Sequence, residues 1–308
     1  MPLLQSADWP LLIDLYFFLA GLAGGAFVIA TIADLVGTTR YRNVVRVGYY
    51  LALLALIPCP IFLIVDLGVP SRFVNMLMSL KPDQMIGASA INIGPFHIKP
   101  FSPMNMGAWA LLGFGLLAFL AALSIFLEDA KRGRDLSALR TTVGVIGGFF
   151  GFFLAAYPGV LLGATARPLF QNGNLLGALF LAVGASTGAA AIALILSFLG
   201  QEAGGTLAGL RRIIIPVLLL QAATLALFLL RVSMSGEEGA AQSLALLLSG
   251  PYSLIFWVGA VAIGLIVPFV LQIVTRQPGL VAIAAILILV GGFLAKYVII
   301  AAGQVVLF

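Results

Sequence analysis

Long apolar runs separated by short polar breaks dominate this chain. Eight stand out, at about 11–36, 45–66, 104–127, 142–165, 175–198, 211–231, 252–274 and 280–302. Crossing a bilayer takes about 20 residues as a helix, and each run is near or above that length. None alternates polar and apolar residues as a barrel strand does. The pattern predicts an all-α integral membrane protein, a single domain over 1–308 whose eight transmembrane helices form two four-helix bundles, 11–165 and 175–302. Pro58, Pro60, Pro158, Pro216 and Pro268 fall inside runs and predict kinks.

Most connections are short. The exception is 67–103, which carries Arg72, Lys81, Asp83, His97 and Lys99 among several prolines. A connection of that length in a compact protein is uncommon without a function. Its Asn75-Met76-Leu77-Met78 and Phe-Pro turns predict an ordered loop. A faint repeat links Phe18-Leu19-Ala20-Gly21 in the first run to Phe180-Leu181-Ala182-Val183 in the fifth. Parallel four-helix halves would produce such a match, and so would two helices rich in Gly and Ala.

Composition narrows the chemistry. The chain is 62% hydrophobic and 9% charged, with a net charge of +5. Its basic residues sit in short loops and report topology rather than nucleic-acid binding. Arg40, Arg42, Arg46, Lys131, Arg132, Arg134, Arg140, Arg211, Arg212 and Arg276 share one face; Arg72, Lys81, Lys99, Arg167, Arg231 and Lys296 share the other. Ten against six makes the first face cytoplasmic, so both termini and the 67–103 loop are expected outside, in the periplasm for an inner-membrane protein. Residues 1–10 carry no basic stretch, so no cleavable signal peptide is expected. One cysteine, Cys59, and one histidine, His97, leave too few ligands for an iron–sulfur cluster or a bis-histidine haem bound by this chain alone.

The titratable groups expected within the spans are few: Asp14, Asp66, Tyr157, Arg231 and Lys296. All five fall in the outer half under this topology. Each has a structural reading: Asp14 on the helix dipole, Asp66 paired with Arg72, Tyr157 as a core tyrosine, Lys296 snorkelling or paired with an acid, and Arg231 as a helix-end anchor. Asp34, Glu128 and Asp129 sit at inner helix ends beside arginines and are expected to be solvated. His97 is expected in solvent or against a partner, and Cys59 as an inert buried thiol. Intramembrane ionisable groups otherwise point to function. A phenol and a carboxylate facing one apolar cleft suit a quinone, with the carboxylate able to exchange protons.

Five stretches carry a recognisable pattern: Asp66-Leu67-Gly68-Val69-Pro70-Ser71-Arg72-Phe73 with Asn75-Met76; 104–109 ending Gly107-Ala108-Trp109; Tyr157-Pro158-Gly159-Val160-Leu161-Leu162; 180–190; and Gly291-Gly292-Phe293-Leu294-Ala295-Lys296-Tyr297-Val298 with Ala302-Gly303-Gln304. Together they resemble the membrane-subunit family of polysulfide reductase, the NrfD-like proteins. The resemblance spans almost the whole chain in order. It implies the membrane anchor and quinone-binding subunit of a respiratory oxidoreductase complex, not an enzyme alone. Electrons would pass between menaquinone or ubiquinone near the outer leaflet and a ferredoxin-like iron–sulfur subunit docked on 67–103. A molybdopterin or multihaem catalytic subunit would complete the complex.

Carried over by position, Tyr157 would bond the quinone, Asp14 with Gly21 and Gly25 would form the first-helix wall, and Asp66 with Arg72 the loop signature. Asp14, Tyr157 and Asp66 are therefore the expected reactive groups. Tyr157, Asp14, Gly21, Gly25, Thr165 and Lys296 are the expected quinone contacts, and no metal is expected. This sequence departs from the family pattern at Val69 and Lys296, where arginine is common, and at Pro158, where threonine is common; Pro158 should bend the helix at the site. Its first helix lacks the histidine that some members use. The competing class is a secondary transporter with parallel four-helix repeats, favoured by the kinks and intramembrane charges.

Overall fold

A computed structural model describes residues 9–37, 41–78, 90–130, 135–173, 175–199, 204–274 and 277–305. Of the residues singled out above, Arg40, Lys81, Asp83, Lys131, Arg132, Arg134 and Arg276 lie outside these ranges. The chain is an all-α integral membrane protein: among the described residues, eight helical spans are long and apolar enough to cross a bilayer.

The first half contains α1 (Leu11–Val36), α2 (Arg42–Leu56), α3 (Pro58–Asp66), α4 (Pro103–Ala130) and α5 (Ser137–Gly163). The second contains α7 (Leu176–Phe198), α8 (Gly204–Ser233), a π-helical stretch Ile255–Ile266 continuing into α10 (Val267–Val274), and α11 (Pro278–Gln304). Two short helices, α6 (Pro168–Gln171) and α9 (Glu238–Leu248), lie between spans and pack on each other.

α1 and α7 form the centre. Their most apolar windows are 72% and 78% buried, against 28% for the spans of α8 and of Ile255–Val274, which therefore face lipid. The reason is side-chain size. A helix apolar on all sides can be buried all round, and small residues let backbones approach where lipid supplies no hydrophobic drive between helices. Gly24 lies against the Gly151 carbonyl of α5, and Gly25 against the Gly184 carbonyl of α7. α1 touches α2, α5 and α7; α7 touches α5, α8 and α11; α4 closes on α2 and α5, and the π-helical stretch closes on α11. Leu54, Phe149, Leu230 and Val274 project outward as lipid-facing groups.

The prolines take different places in the helices. Span two breaks at Ile57, where Pro58 starts α3 without an N–H to donate. By contrast, α5 runs unbroken through Pro158 and α8 through Pro216. α1 stops at Gly37, whose φ of 67° is the left-handed cap that glycine adopts most easily, its N–H returning to the Asp34 carbonyl.

The described parts of the long loop are folded. A 3₁₀ turn, Pro70–Met76, leads on to Met78, and a hairpin follows: β1 (Ile91–Ile93) pairs antiparallel with β2 (Phe96–Ile98), with Asn92 opposite His97. α4 fastens it. The Asn105 side chain donates to the Met76 carbonyl at 2.6 Å and accepts from the Lys99 N–H at 2.7 Å, and Trp109 Nε1 donates to the His97 carbonyl at 3.0 Å. His97 is consequently buried, not solvated, and its Nδ1 has no hydrogen-bond partner among the described residues. Burial, with the Lys99 cation adding to it, lowers its pKa below the usual value.

Candidate functional site

The expected site residues divide between opposite faces of α1. Tyr16 and Phe27 turn towards α5 and α4: Tyr16 lies within electrostatic range of Tyr157, and Phe27 lies against Phe114 of α4 at 5.2 Å and against Gly147 of α5. Asp14, Gly21 and Gly25 repeat at seven and four residues, so they share the other face. There Gly21 meets Gly184 of α7 and Lys296 of α11.

On the first face Tyr157 is buried and stacks on Phe153, centroids 5.9 Å apart and planes 30° apart. Its ring fills the place a Cβ would take at Gly107, so a side chain there and the phenol exclude each other. No protein atom among the described residues hydrogen-bonds the Tyr157 hydroxyl. Tyr16, also buried, lies within electrostatic range of Tyr157 and Cys59. A phenol donor among aromatic rings thus stands two turns from the end of α5, with no competing acceptor among the described residues.

On the second face Lys296 is 1% exposed, and its Nζ donates to the Phe17 carbonyl at 2.7 Å with the Phe180 ring centroid 5.1 Å away. It neither snorkels nor pairs: no carboxylate lies within 4.0 Å among the described residues. Asp14 is 3% exposed, and its Oδ1 has no hydrogen-bond partner among the described residues. Above this face the Gln304 side chain accepts from the Trp9 N–H at 2.6 Å, and the buried Arg167 donates to the Gln304 carbonyl.

Three expected residues serve otherwise. Asp66 is exposed at the end of α3 and makes no ion pair with the exposed Arg72 among the described residues. Thr165 turns back on its own helix, donating to the Leu162 carbonyl at 2.6 Å. Gly25 is a helix-crossing point without open space beside it. Conversely, Tyr16, Phe153 and Gly107 do not stand out individually in the sequence. Gly107 carries a signal in the Gly107-Ala108-Trp109 stretch, whereas Tyr16 sits in a run apolar on every side.

A cavity of about 580 Å³ lies at the far end, lined by Asp34, Arg46, Glu128, Asp129 and Arg140 among others. Asp34 and Asp14 are twenty residues apart on one helix, roughly 30 Å, so this cavity is remote from Tyr157. Arg140 holds Asp34 through Nε at 3.0 Å and Nη2 at 2.9 Å, and also bonds Glu128. Asp34 and Glu128 are thereby mostly buried, with side chains 8% and 15% exposed, rather than solvated. This charged clamp ties α1 to α4 and α5. Its polarity suits water and ions, while the tyrosine cluster suits an apolar ring. Among the described residues no three His, Cys, Asp or Glu side chains gather as metal ligands.

The family model for "Polysulphide reductase, NrfD" matches residues 3–307. The chain belongs to the NrfD family. It is 28% identical to a polysulfide reductase chain of Wolinella succinogenes, over 96% of this protein and 93% of that one. It is likewise 28% identical to protein NrfD of Escherichia coli, over 96% and 94%. A shorter match, 25% identical over 27% of this protein and 20% of the relative, is to a selenate reductase subunit of Mesobacillus selenatarsenatis. In this NrfD-family protein the two tyrosines of the first face and the two titratable groups of the second, Asp14 and Lys296, lie on different sides of α1.

Proposed function

We propose that this NrfD-family protein is the membrane anchor and quinone-binding subunit of a respiratory oxidoreductase complex. Two of its relatives are named as parts of reductases. The carrying observation is Tyr157: a buried phenol stacked on Phe153, set in the notch left by Gly107, with its hydroxyl unpartnered among the described residues. A hydroxyl without a protein partner can donate to a ligand oxygen, a hydrogen bond contributing about 0.5–1.5 kcal/mol. The apolar rings offer the faces against which a quinone head packs, and Tyr16 adds a second phenol.

Bound there, menaquinone or ubiquinone would supply two-electron chemistry coupled to protons. Tyr157 would orient the ring through one oxygen, and the packed neighbours would exclude bulk water. Asp14 does not share this pocket. Its part in proton exchange belongs to the other face of α1.

The 67–103 loop is the proposed dock for a ferredoxin-like iron–sulfur subunit, with a molybdopterin or multihaem catalytic subunit beyond it. Phe73, Ile91, Ile93, Phe96 and Phe101 are exposed on a loop that Asn105 and Trp109 hold in place. Such large apolar groups on a fixed polar-rimmed loop mark a protein contact surface. Loop and termini then face outward, in the cell's inner membrane. The test is quinone-dependent electron transfer by the purified complex. Tyr157→Phe should lower quinone turnover at limiting quinone about 5- to 30-fold, the loss of about 1–2 kcal/mol of hydrogen bonding. Unchanged turnover and unchanged quinone affinity would refute the site.

A further inference from the structure

Phe153-Leu154-Ala155-Ala156-Tyr157 of α5 recurs as Phe293-Leu294-Ala295-Lys296-Tyr297 of α11. The geometry recurs with it. Phe293 and Tyr297 stack at 6.2 Å and 16°, as Phe153 and Tyr157 do at 5.9 Å and 30°. The glycine two residues before each phenylalanine is a close helix crossing, Gly151 of α5 against Gly24 of α1 and Gly291 of α11 against Gly264 of the π-helical stretch. Neither tyrosine hydroxyl has a protein hydrogen bond among the described residues.

α1 and α11 run in opposite directions and meet at Phe18 and Phe293, whose rings cross edge-to-face at 5.7 Å. One turn outward from that contact, α1 carries Asp14 and α11 carries Tyr297. A buried carboxyl with an oxygen unpartnered among the described residues and a half-buried phenol therefore flank the same level of one seam. Across the seam from lipid, Lys296 adds an amine already held by the Phe17 carbonyl. The helix facing α11 is the π-helical stretch Ile255–Ile266, and π geometry concentrates at functional positions.

We propose that the seam between α1 and α11 is a second site for a quinone-type ring, with the Tyr297 hydroxyl and the Asp14 carboxyl as its hydrogen-bonding groups. An acyl tail would leave both groups unpaired in an apolar setting, at the cost of their desolvation. A ring with an oxygen at each end satisfies both, and Phe18 and Phe293 cover it. The site rests on the quinone reading of this protein, but not on Tyr157 being a quinone contact. It differs from the Tyr157 pocket in carrying a titratable carboxyl, so it is the one suited to exchange a proton with its ligand.

The test is photolabelling of the full-length protein in nanodiscs with an azidoquinone, with peptide mapping. Two labelled regions are expected, one on α5 or α4 and one on α11 or the start of α1. Tyr297→Phe and Asp14→Asn should each lower the α11/α1 label at least about 5-fold and leave the α5/α4 label in place, which also certifies the fold of the variants. Tyr157→Phe should do the reverse. Absence of an α11/α1 label in wild type, or a label indifferent to both variants and to competing unlabelled quinone, overturns the second site. A lone α11/α1 label would instead overturn the Tyr157 pocket and keep this one.

Discussion

Gly107→Ala puts the Tyr157 pocket under a calibrated load. A Cβ at Gly107 would fall among Tyr157 Cζ, Cε1 and the hydroxyl oxygen, closer than any real contact. The clash is with a ring packed on Phe153 and enclosed by α4 and α5, so the ring has to leave its position. Overpacking of this kind costs about 1–3 kcal/mol. If the notch serves to place the phenol for a ligand, the loss appears in quinone affinity as a factor of about 5 to 150, since 1.4 kcal/mol is about tenfold. The assay is displacement of a fluorescent quinone-site inhibitor from the full-length protein in nanodiscs, with thermal unfolding measured in parallel. A double-mutant cycle supplies the control. In a Tyr157→Ala background nothing remains for the new methyl to strike, so Gly107→Ala should cost almost nothing further, a coupling of about 1–3 kcal/mol. Additive losses in the two variants would refute the idea that Gly107 acts through the tyrosine.

Other expectations follow from the same packing. Gly21→Ala would press on Lys296 Nζ, 2.6 Å away and held by the Phe17 carbonyl, whereas Gly25→Ala meets the Gly184 backbone; each should cost about 1–3 kcal/mol in denaturation of the reconstituted protein. Arg140→Ala strands Asp34 and Glu128; because the clamp lies at a helix end with access to water, the loss should be about 1–3 kcal/mol, below the range for a fully buried pair. His97 has a lowered pKa in the folded loop, so the unfolded loop binds more protons at acid pH. Loop stability should then be full above the ordinary histidine pKa and fall as pH drops through it towards the folded value. Hydrogen-exchange protection over 90–103, taken relative to the intrinsic exchange rate at each pH, should be lower at pH 5 than at pH 8, and His97→Asn should remove most of that difference.

The eight spans are readable because lipid demands continuous apolar helices, and such runs have no soluble counterpart of that length. The fold of the described parts of the long loop is also readable from its turns, although what holds them, Asn105 and Trp109, belongs to the next span. What fails is the sharing of one pocket by Asp14 and Tyr157. Common depth would place them together on a helix of known rotation, but α1 is apolar all round and small residues occur on both faces, so sequence does not say which face meets which neighbour. Only the contacts of Gly24 with α5 and Gly21 with α7 and α11 orient it. Lys296 is unreadable for a related reason: its partner is the Phe17 backbone carbonyl, which any residue at position 17 would supply equally. Asp34, Glu128 and Arg140 look like solvated helix ends because their convergence depends on three helices meeting.

Whether the Tyr157 hydroxyl holds a quinone is the central question for this protein. Titration of the reconstituted full-length protein with a fluorescent quinone-site inhibitor, wild type beside Tyr157→Phe, measures that directly. Saturable binding that quinone displaces, weakened about 5- to 30-fold in the variant for the loss of one hydrogen bond, is the expected result. Equal affinity in both proteins, or no saturable binding in the wild type, would contradict it.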